Sequence, residues 1–313
     1  MSNSSFGIVF PGQGSQSIGM LSDLAAAFPI VSQTFAEASE VLGYDLWDLV
    51  QNGPAETLNQ TMKTQPAMLA AGVSVWRVWL EQGGAKPKLM AGHSLGEYTA
   101  LVCANAIEFT DAVTLVAERG RFMQEAVPAG SGGMAAILGL DDDQVKSVCV
   151  KAASDDVIEA VNFNSPGQVV IAGHKAAVDR ACLLAKEAGA KRALPLPVSV
   201  PSHCALMKPA AERLAQLLDE ISISSPTIPV IHNANVELAS DAASIRAQLA
   251  AQLYSPVRWV ETVQTMANSG LTNLLEAGPG KVLAGLSKRI DRGLTGLPVF
   301  DTKSLTQALE TLT

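Results

Sequence analysis

Cysteine is scarce in this chain, which has four among its 313 residues: Cys103, Cys149, Cys182 and Cys204. None belongs to a Cys-x-x-Cys pair, and none stands at zinc-ligand spacing from one of the four histidines. The spacing therefore predicts no metal site, and reduced, mostly buried thiols are expected instead.

Long apolar runs are missing as well, since no stretch reaches the roughly 18 residues that a membrane span requires. The opening segment, MSNSSFGIVFPGQG, has no basic region and only a short apolar run, so no signal peptide is expected. A formal charge of −8 argues against general attraction to nucleic acids or membrane surfaces. We therefore expect a cytoplasmic protein that binds neither.

The remaining composition, 48% hydrophobic and 17% charged residues, is that of a globular protein with a substantial core. FGIVF at Phe6–Phe10 predicts a strand, and the glycine-rich loop PGQGSQ separates it from a helix predicted over Ile18–Phe28. KLMAG, IPVIHN and NLLEAG predict further strands, and helical patterns separate most of them. This order predicts an α/β fold whose main sheet is mostly parallel.

The pattern changes in the middle of the chain, where candidate strands from MAAILGL to AKRALPLPV alternate with two helices in the order β-α-β-β-α-β. That order is typical of a ferredoxin-like domain. We therefore predict a large α/β domain formed by 1–127 and 200–313, with a ferredoxin-like small domain inserted at 128–199.

The segment AGHSLGEY places Ser94 in a Gly-x-Ser-x-Gly sequence between a predicted strand and a predicted helix. This context is the one that a nucleophile elbow requires. The hydroxyl would project from the turn, and the N–H of Leu95 at the helix start could stabilise an oxyanion. The pattern alone is equally compatible with a serine that caps an ordinary helix.

A serine nucleophile needs a base, and His203 is the best candidate among the four histidines. It follows a strand and precedes a helix, where α/β sites assemble, and His232 is the alternative. His93 is adjacent to Ser94 and points elsewhere, and His174 lies in the inserted domain. No acidic residue is an obvious orienting partner for His203, so a main-chain carbonyl could serve instead.

Arg119 is predicted on the apolar face of a helix, at spacings of three and four from Leu115, Val116, Phe122 and Met123. A buried guanidinium needs a partner. A buried acid and a substrate carboxylate are both compatible with the pattern. Gln13, in the loop after the first strand, could present a further donor to the same site.

With these residues in place, the chain resembles the malonyl-CoA:acyl carrier protein transacylases of type II fatty acid synthesis. The similarity spans the chain and rests on FPGQGSQSIGM, AGHSLGEYTAL, ERGRFMQEAVP, NFNSPGQVVIAG, VSVPSHCALMKPAA, QLYSPVRW and EAGPGKVL. It implies an α/β-hydrolase-like large domain with an inserted ferredoxin-like small domain. Ser94 would carry a malonyl ester, His203 would be its general base and acid, and the main-chain carbonyl of Gln252 would orient His203.

The same resemblance implies that the N–H groups of Leu95 and Gln13 form the oxyanion hole and that Arg119 holds the malonyl carboxylate. The substrates would be malonyl-CoA and holo acyl carrier protein, with no metal or redox cofactor. A local basic surface is expected to dock the acidic carrier protein, although scattered solubilising charges are an equal alternative. Its candidate residues are Lys191, Arg192, Lys281, Lys288 and Arg289.

Three other functions compete with this interpretation. A serine ester or thioester hydrolase would share Ser94 and His203, a trans-acting polyketide acyltransferase would share the whole site, and a binding module would use neither residue chemically. The tetrapeptide VPSH, which ends at His203, matches neither of the two patterns that separate malonyl from methylmalonyl selectivity in polyketide acyltransferase domains. Malonyl preference therefore rests on whole-chain similarity, and tolerance of an α-methyl group is open.

Overall fold

A computed structural model describes residues 5–198 and 200–312 of the chain. Its strands are β1 Phe6–Phe10, β2 Leu89–Gly92, β3 Gly132–Leu138, β4 Ile158–Ser165, β5 Gln168–His174, β6 Arg192–Pro195, β7 Val230–Ile231, β8 Asn273–Ala277 and β9 Thr295–Val299. Its helices are α1 Ser22–Ala27, α2 Pro29–Leu42, α3 Leu46–Asn52, α4 Ala55–Leu58, α5 Thr61–Glu81, α6 Gly96–Cys103, α7 Phe109–Glu125, α8 Asp142–Ala153, α9 Lys175–Glu187, α10 Lys208–Glu220, α11 Ala242–Gln252, α12 Trp259–Asn268, α13 Val282–Ile290 and α14 Thr302–Leu312.

The larger sheet has five parallel strands in the order β7-β2-β1-β8-β9, which confirms the predicted α/β class and the parallel sheet. β1 lies at its centre, and all five of its residues are buried because helices cover both faces. Phe10, the last residue of β1, pairs with Gly92, the last residue of β2. The loop after β1 and the turn that carries Ser94 therefore leave the sheet at the same edge.

The smaller sheet is antiparallel, with strands in the order β4-β5-β3-β6. Helices α8 and α9 pack on one of its faces, and the order β-α-β-β-α-β is the predicted ferredoxin-like one. The opposite face packs against Cys204 and Leu206, which follow His203 in the chain. The domain bounds 128 and 199 stay a prediction; positions 1–4, 199 and 313 lie outside the described residues.

Several elements differ from their predicted extent. The helix predicted from Ile18 begins at Ser22, because Gly19 and Leu21 have φ of 79° and 61° and interrupt a helical path. The strand predicted from IPVIHN is reduced to the two residues of β7. The pattern missed β9 altogether, since Pro298 weakens the strand signal and is tolerated only because β9 is at the sheet edge.

The described helices, taken over 5–198 and 200–312, include none with both the length and the hydropathy needed to cross a membrane.

Candidate active site

The turn between β2 and α6 presents Ser94 in a left-handed conformation, with φ of 52°. Gly92 and Gly96 allow this turn because their backbones touch their surroundings directly. A Cβ on Gly92 would lie 1.9 Å from the backbone of Gly96, and one on Gly96 would lie 2.1 Å from the carbonyl oxygen of Phe10. The Ser94 N–H donates to Asn233 Oδ1 at 2.7 Å, which fixes the turn from behind. The geometry is that of a nucleophile elbow.

His203 lies opposite the serine, with 2.8 Å between its Nε2 and Ser94 Oγ. The ring Nδ1 lies 2.8 Å from the main-chain oxygen of Gln252. The main-chain N–H of His203 donates to the main-chain oxygen of Leu253. A carbonyl oxygen can only accept, so Nδ1 must carry the proton and Nε2 must be the acceptor. Ser94 Oγ–H therefore donates to His203, as a nucleophile does to its base.

The His203 imidazole is neutral in this setting. Burial lowers its pKa from 6.5 to about 3, and the positive charge of the nearby Arg119 adds to the shift. The hydrogen bond to the Gln252 carbonyl acts in the opposite direction but is the weaker effect. A neutral imidazole with a free Nε2 is the form that can accept the serine proton.

Arg119 is buried in α7, with 1% of its surface exposed, and it contacts the serine. Its Nη2 donates to Ser94 Oγ at 3.4 Å and to Gln252 Oε1 at 2.9 Å, and its Nη1 donates to Gln65 Oε1 at 2.8 Å. Among residues 5–198 and 200–312 no acid forms an ion pair with it, and its Nε–H has no partner. The buried-acid alternative is therefore wrong, and the guanidinium stays available for an anion.

Gln252 joins these groups from the last residue of α11 and is fully buried. Its main-chain oxygen faces His203, and its side-chain oxygen accepts from Arg119. Its Nε2 donates to the Ser94 main-chain oxygen at 3.0 Å and to Glu97 Oε2 at 2.7 Å. The sequence predicted only the main-chain contact, on the strength of the resemblance.

Two main-chain N–H groups are free near the serine. Leu95 stands at the start of α6, and Gln13 lies in the exposed loop after β1. Neither N–H has a hydrogen-bond acceptor in the part of the chain that the structure describes. Gln13 and His93 line a cavity of about 320 Å³ between the two sheets, together with Asn162, Asn164 and Val282. The cavity is lined by His93, the residue before Ser94, and so lies next to the serine turn.

The other histidines hold the surroundings in place. His232, the alternative base, is fully buried, and its Nδ1 faces Glu97 Oε1 at 2.7 Å rather than Ser94. His93 Nε2 contacts Asn164 Oδ1 at 2.8 Å, which links the serine turn to the smaller sheet. His174 forms the N-terminal boundary of α9. Only His203, of the four, reaches the serine hydroxyl.

Sequence reasoning missed three polar residues behind the site: Gln65, Glu97 and Asn233. All three are essentially fully buried, and each bonds to a residue of the serine, histidine and arginine cluster or supports one that does. Glu97 offered only a weak signal, its place in the first turn of the helix that follows Ser94. Gln65 and Asn233 gave none.

Comparison with known proteins gives one family model that matches residues 8–292, described as the acyl transferase domain. The malonyl CoA-acyl carrier protein transacylase of Salmonella typhimurium is 61% identical over 304 residues, which cover 97% of this chain and 98% of that protein. The protein of the same name from Bacillus subtilis is 46% identical over 310 residues, covering 99% and 98%.

Solved structures agree with the sequence comparison. An acyl carrier protein S-malonyltransferase from Vibrio cholerae has 61% identity and a TM-score of 0.95, covering 97% of this chain and 99% of that one. A second structure is described as a type II polyketide acyl carrier protein in complex with its malonyl-transacylase. It has 60% identity and a TM-score of 0.97, covering 98% of this chain and 100% of the matched one.

Proposed function

The chain belongs to the acyl transferase family, and we propose that it moves a malonyl group from malonyl-CoA to the phosphopantetheine thiol of acyl carrier protein. The reaction proceeds through a malonyl ester on Ser94, with ping-pong kinetics, and supplies fatty acid elongation. The observation that carries the proposal is the guanidinium of Arg119, which is buried, has no acid partner among the described residues and contacts Ser94 Oγ.

The first half-reaction uses the hydrogen bond between Ser94 and His203. Ser94 Oγ attacks the thioester carbonyl while His203 Nε2 takes its proton. The N–H groups of Leu95 and Gln13, which have no acceptor in the described structure, stabilise the oxyanion that forms. The C–S bond then breaks, and the CoA sulfur leaves with the proton from the imidazolium.

The second half-reaction reverses these steps with a different thiol. His203 takes the proton of the phosphopantetheine thiol, and the sulfur attacks the ester carbonyl of malonyl-Ser94. The C–O bond breaks, and Ser94 recovers its proton from His203. The Gln252 carbonyl holds the imidazole in the required tautomer throughout, and so replaces the carboxylate of a serine protease triad.

Arg119 distinguishes this function from ester hydrolysis. A malonyl carboxylate lying beside Ser94 would meet a guanidinium that is itself only 1% exposed, and a charge-assisted pair with a buried group is strong. A hydrolase of neutral acyl groups would carry the cost of burying this charge without using it. The arginine therefore favours an acyl group with a distal carboxylate.

The carrier protein is proposed to dock on the predicted basic residues. All five are exposed, and none pairs with an acid in the described part of the chain. Arg289 donates to Gln168 at 3.2 Å, and Gln168 lies two strands from Arg192 across the smaller sheet, about 10 Å away. Because Gln168 also lines the 320 Å³ cavity, this surface would hold a carrier protein at the entrance to the site.

We place the activity in the cytoplasm. All four cysteines are free and buried. Unpaired cysteines are the usual state in a reducing compartment. Fractionation of cells that express the tagged chain would test this placement, and recovery outside the cytoplasmic fraction would contradict it.

Intact-mass measurement tests the function directly. The protein is mixed with malonyl-CoA or acetyl-CoA, and holo acyl carrier protein is then added. We expect a malonyl adduct on Ser94 that moves to the carrier thiol, with weak acetyl labelling, and no adduct on Ser94→Ala. Steady release of CoA without an adduct would indicate a hydrolase. If neither an adduct nor CoA release is observed, the chain would be a non-catalytic binding module.

A further inference from the structure

Glu97 is a fully buried carboxyl group that the mechanism above does not use. It lies in the first turn of α6, three residues after Ser94, and faces away from the substrate cavity toward β7 and α11. Three groups donate to it or face it: His232 Nδ1 at 2.7 Å from Oε1, and the Asn233 N–H and Gln252 Nε2 at 2.9 and 2.7 Å from Oε2. A buried carboxyl with three polar contacts is strongly constrained in orientation.

Two of these contacts lead directly to the reacting residues. Asn233, held by Glu97, accepts from the Ser94 N–H and donates to the Gly92 carbonyl, so it sets the serine turn. Gln252, held by Glu97, accepts from Arg119 through its side chain and orients His203 through its main chain. One carboxyl group is therefore connected, through Asn233 and Gln252, to the nucleophile, the base and the arginine.

We propose that Glu97 is a positioning residue for the transfer reaction, which acts on Arg119 through the side-chain amide of Gln252. This inference rests on the proposed function. The amide of Gln252 has two possible orientations, and Arg119 requires its oxygen. Glu97 accepts from Nε2 at 2.7 Å, as the Ser94 main-chain oxygen does at 3.0 Å, and so favours the orientation in which Oε1 faces the guanidinium.

His232 has a complementary part in this arrangement. It occupies Oε1 of Glu97, so that Oε2 is left for Asn233 and Gln252. Its Nε2 is buried without a partner in the described structure, so the contact with Glu97 is the side chain's single polar anchor there. His232 thereby restrains rotation of the carboxyl group.

Two substitutions separate hydrogen-bond geometry from bulk stability. Glu97→Gln can keep all three contacts: its oxygen accepts from Asn233 and Gln252, while its NH₂ donates to His232 Nδ1 after that ring changes tautomer. Glu97→Asp keeps a carboxylate but is one methylene shorter and cannot reach the same partners together. Glu276→Gln is the matched control, because Glu276 is also fully buried but lies at the end of β8 and bonds to α13.

The readout is the ratio of malonyl to acetyl labelling rates of the serine, together with Tm for each variant. A purely structural residue would lower Tm and both rates without changing their ratio. We expect Glu97→Asp to lower the ratio about 10-fold, the loss typical of a hydrogen bond to a charged group. Glu97→Gln should stay within about threefold of the parent ratio, and Glu276→Gln should leave it unchanged.

Glu97→Met is a second variant that should disrupt the contacts, because it fills the volume without a hydrogen-bond acceptor. It should lower the malonyl-to-acetyl ratio as much as Glu97→Asp does. Parent selectivity in a folded Asp or Met variant would overturn the proposal. If neither variant folds, Glu97 is a folding residue and the positioning role is abandoned. Absence of malonyl labelling in the parent protein would instead contradict the proposed function, so the two failures are distinguishable.

Discussion

Replacing Arg119 by methionine should remove the selectivity of the site for a malonyl group without unfolding the protein. The guanidinium is 1% exposed and donates to the neutral side chains of Gln65, Gln252 and Ser94. It also lies 5.3 Å from the centre of the neutral Tyr98 ring. Methionine is unbranched and flexible, so it can fill much of the space of the arginine stem, and it has no charge to desolvate. A malonyl carboxylate that entered the variant site would be buried without a counter-charge.

The size of the effect follows from that burial. Truncating one partner of a buried, hydrogen-bonded charge pair costs about 2–5 kcal/mol. At about 1.4 kcal/mol for each factor of ten, malonyl kcat/KM should fall about 30-fold to 4,000-fold. Acetyl transfer loses only the 3.4 Å contact between Arg119 Nη2 and Ser94 Oγ, so it should fall much less than malonyl transfer. Tm should change little, because removal of the buried charge offsets the loss of its hydrogen bonds to Gln65 and Gln252.

The assay is the rate of serine acylation by malonyl-CoA and by acetyl-CoA, measured by intact mass at subsaturating substrate. Arg77→Met is the matched control, because Arg77 pairs with Glu37 at 2.7 Å and lies away from Ser94. It should leave the malonyl-to-acetyl ratio unchanged. Equal losses for both acyl groups in Arg119→Met would refute the carboxylate-binding role, and a large fall in Tm would refute the stability argument.

Three further predictions concern the base, the turn and the docking surface. The pKa of His203 is lowered to about 3, so kcat/KM for an uncharged acetyl thioester should hold from about pH 8 down to about pH 5; an acid limb at the normal histidine value would contradict this. Gly92→Ala places a Cβ 1.9 Å from backbone and should cost about 1–3 kcal/mol or more in urea unfolding. Reversing Lys288 and Arg289 to Glu should raise the KM for carrier protein about 10-fold at low salt without changing malonyl-CoA acylation.

A second measurement or a matched control variant accompanies each of these predictions. The low His203 pKa also predicts that stability falls as pH drops from about 6.5 toward 3, because the unfolded chain binds a proton that the folded chain does not. Gly285→Ala meets no atom within 4 Å and should not destabilise, and equal stability of the two alanine variants would contradict the packing argument. Lys303→Glu, exposed on α14, should leave the KM unchanged; an equal rise there would indicate a general charge effect.

The predictable part of this protein is the part that depends on strand and helix ends. Ser94 follows β2 and precedes α6, and the parallel sheet brings such junctions to one edge. The same reasoning selects His203, but the strand before it, β6, belongs to the antiparallel sheet, so it is the contacts of His203 with Gln252 and Leu253 that hold it at the serine. Arg119 could be placed on a buried face by its spacing alone, which the structure confirms. Whether its partner was an acid could not be predicted, since that depends on α5 and α11, far away in the chain.

The two histidine candidates show the limit of such reasoning. His203 and His232 both follow apolar segments and have similar local patterns. They differ because His232 faces α6 from behind, where Glu97 is 135 residues away in sequence, and His203 faces the front of the serine turn. A sequence pattern does not tell which residues far apart in the chain lie close together in space. Glu97, Asn233 and Gln65 were therefore not found.

The amides around Arg119 lead to the converse of the methionine experiment. Gln65 is 1% exposed and accepts from Arg119 Nη1 at 2.8 Å, while its own Nε2 makes only a 3.5 Å contact with Met123 Sδ. The guanidinium donates to the side-chain amides of Gln65 and Gln252. These neutral amides orient the positive charge without neutralising it. This leaves the charge for the substrate.

Gln65→Glu would supply the missing acid with almost no change in shape. The new carboxylate would pair with Arg119 inside the protein, so a malonyl carboxylate would have to share or displace it. Malonyl kcat/KM should fall about 10-fold or more, acetyl acylation should change little, and Tm should rise. Gln307→Glu, on the exposed side of α14, controls for the added charge. Unchanged malonyl acylation in Gln65→Glu would mean that the unneutralised charge of Arg119 is not what selects the acyl group.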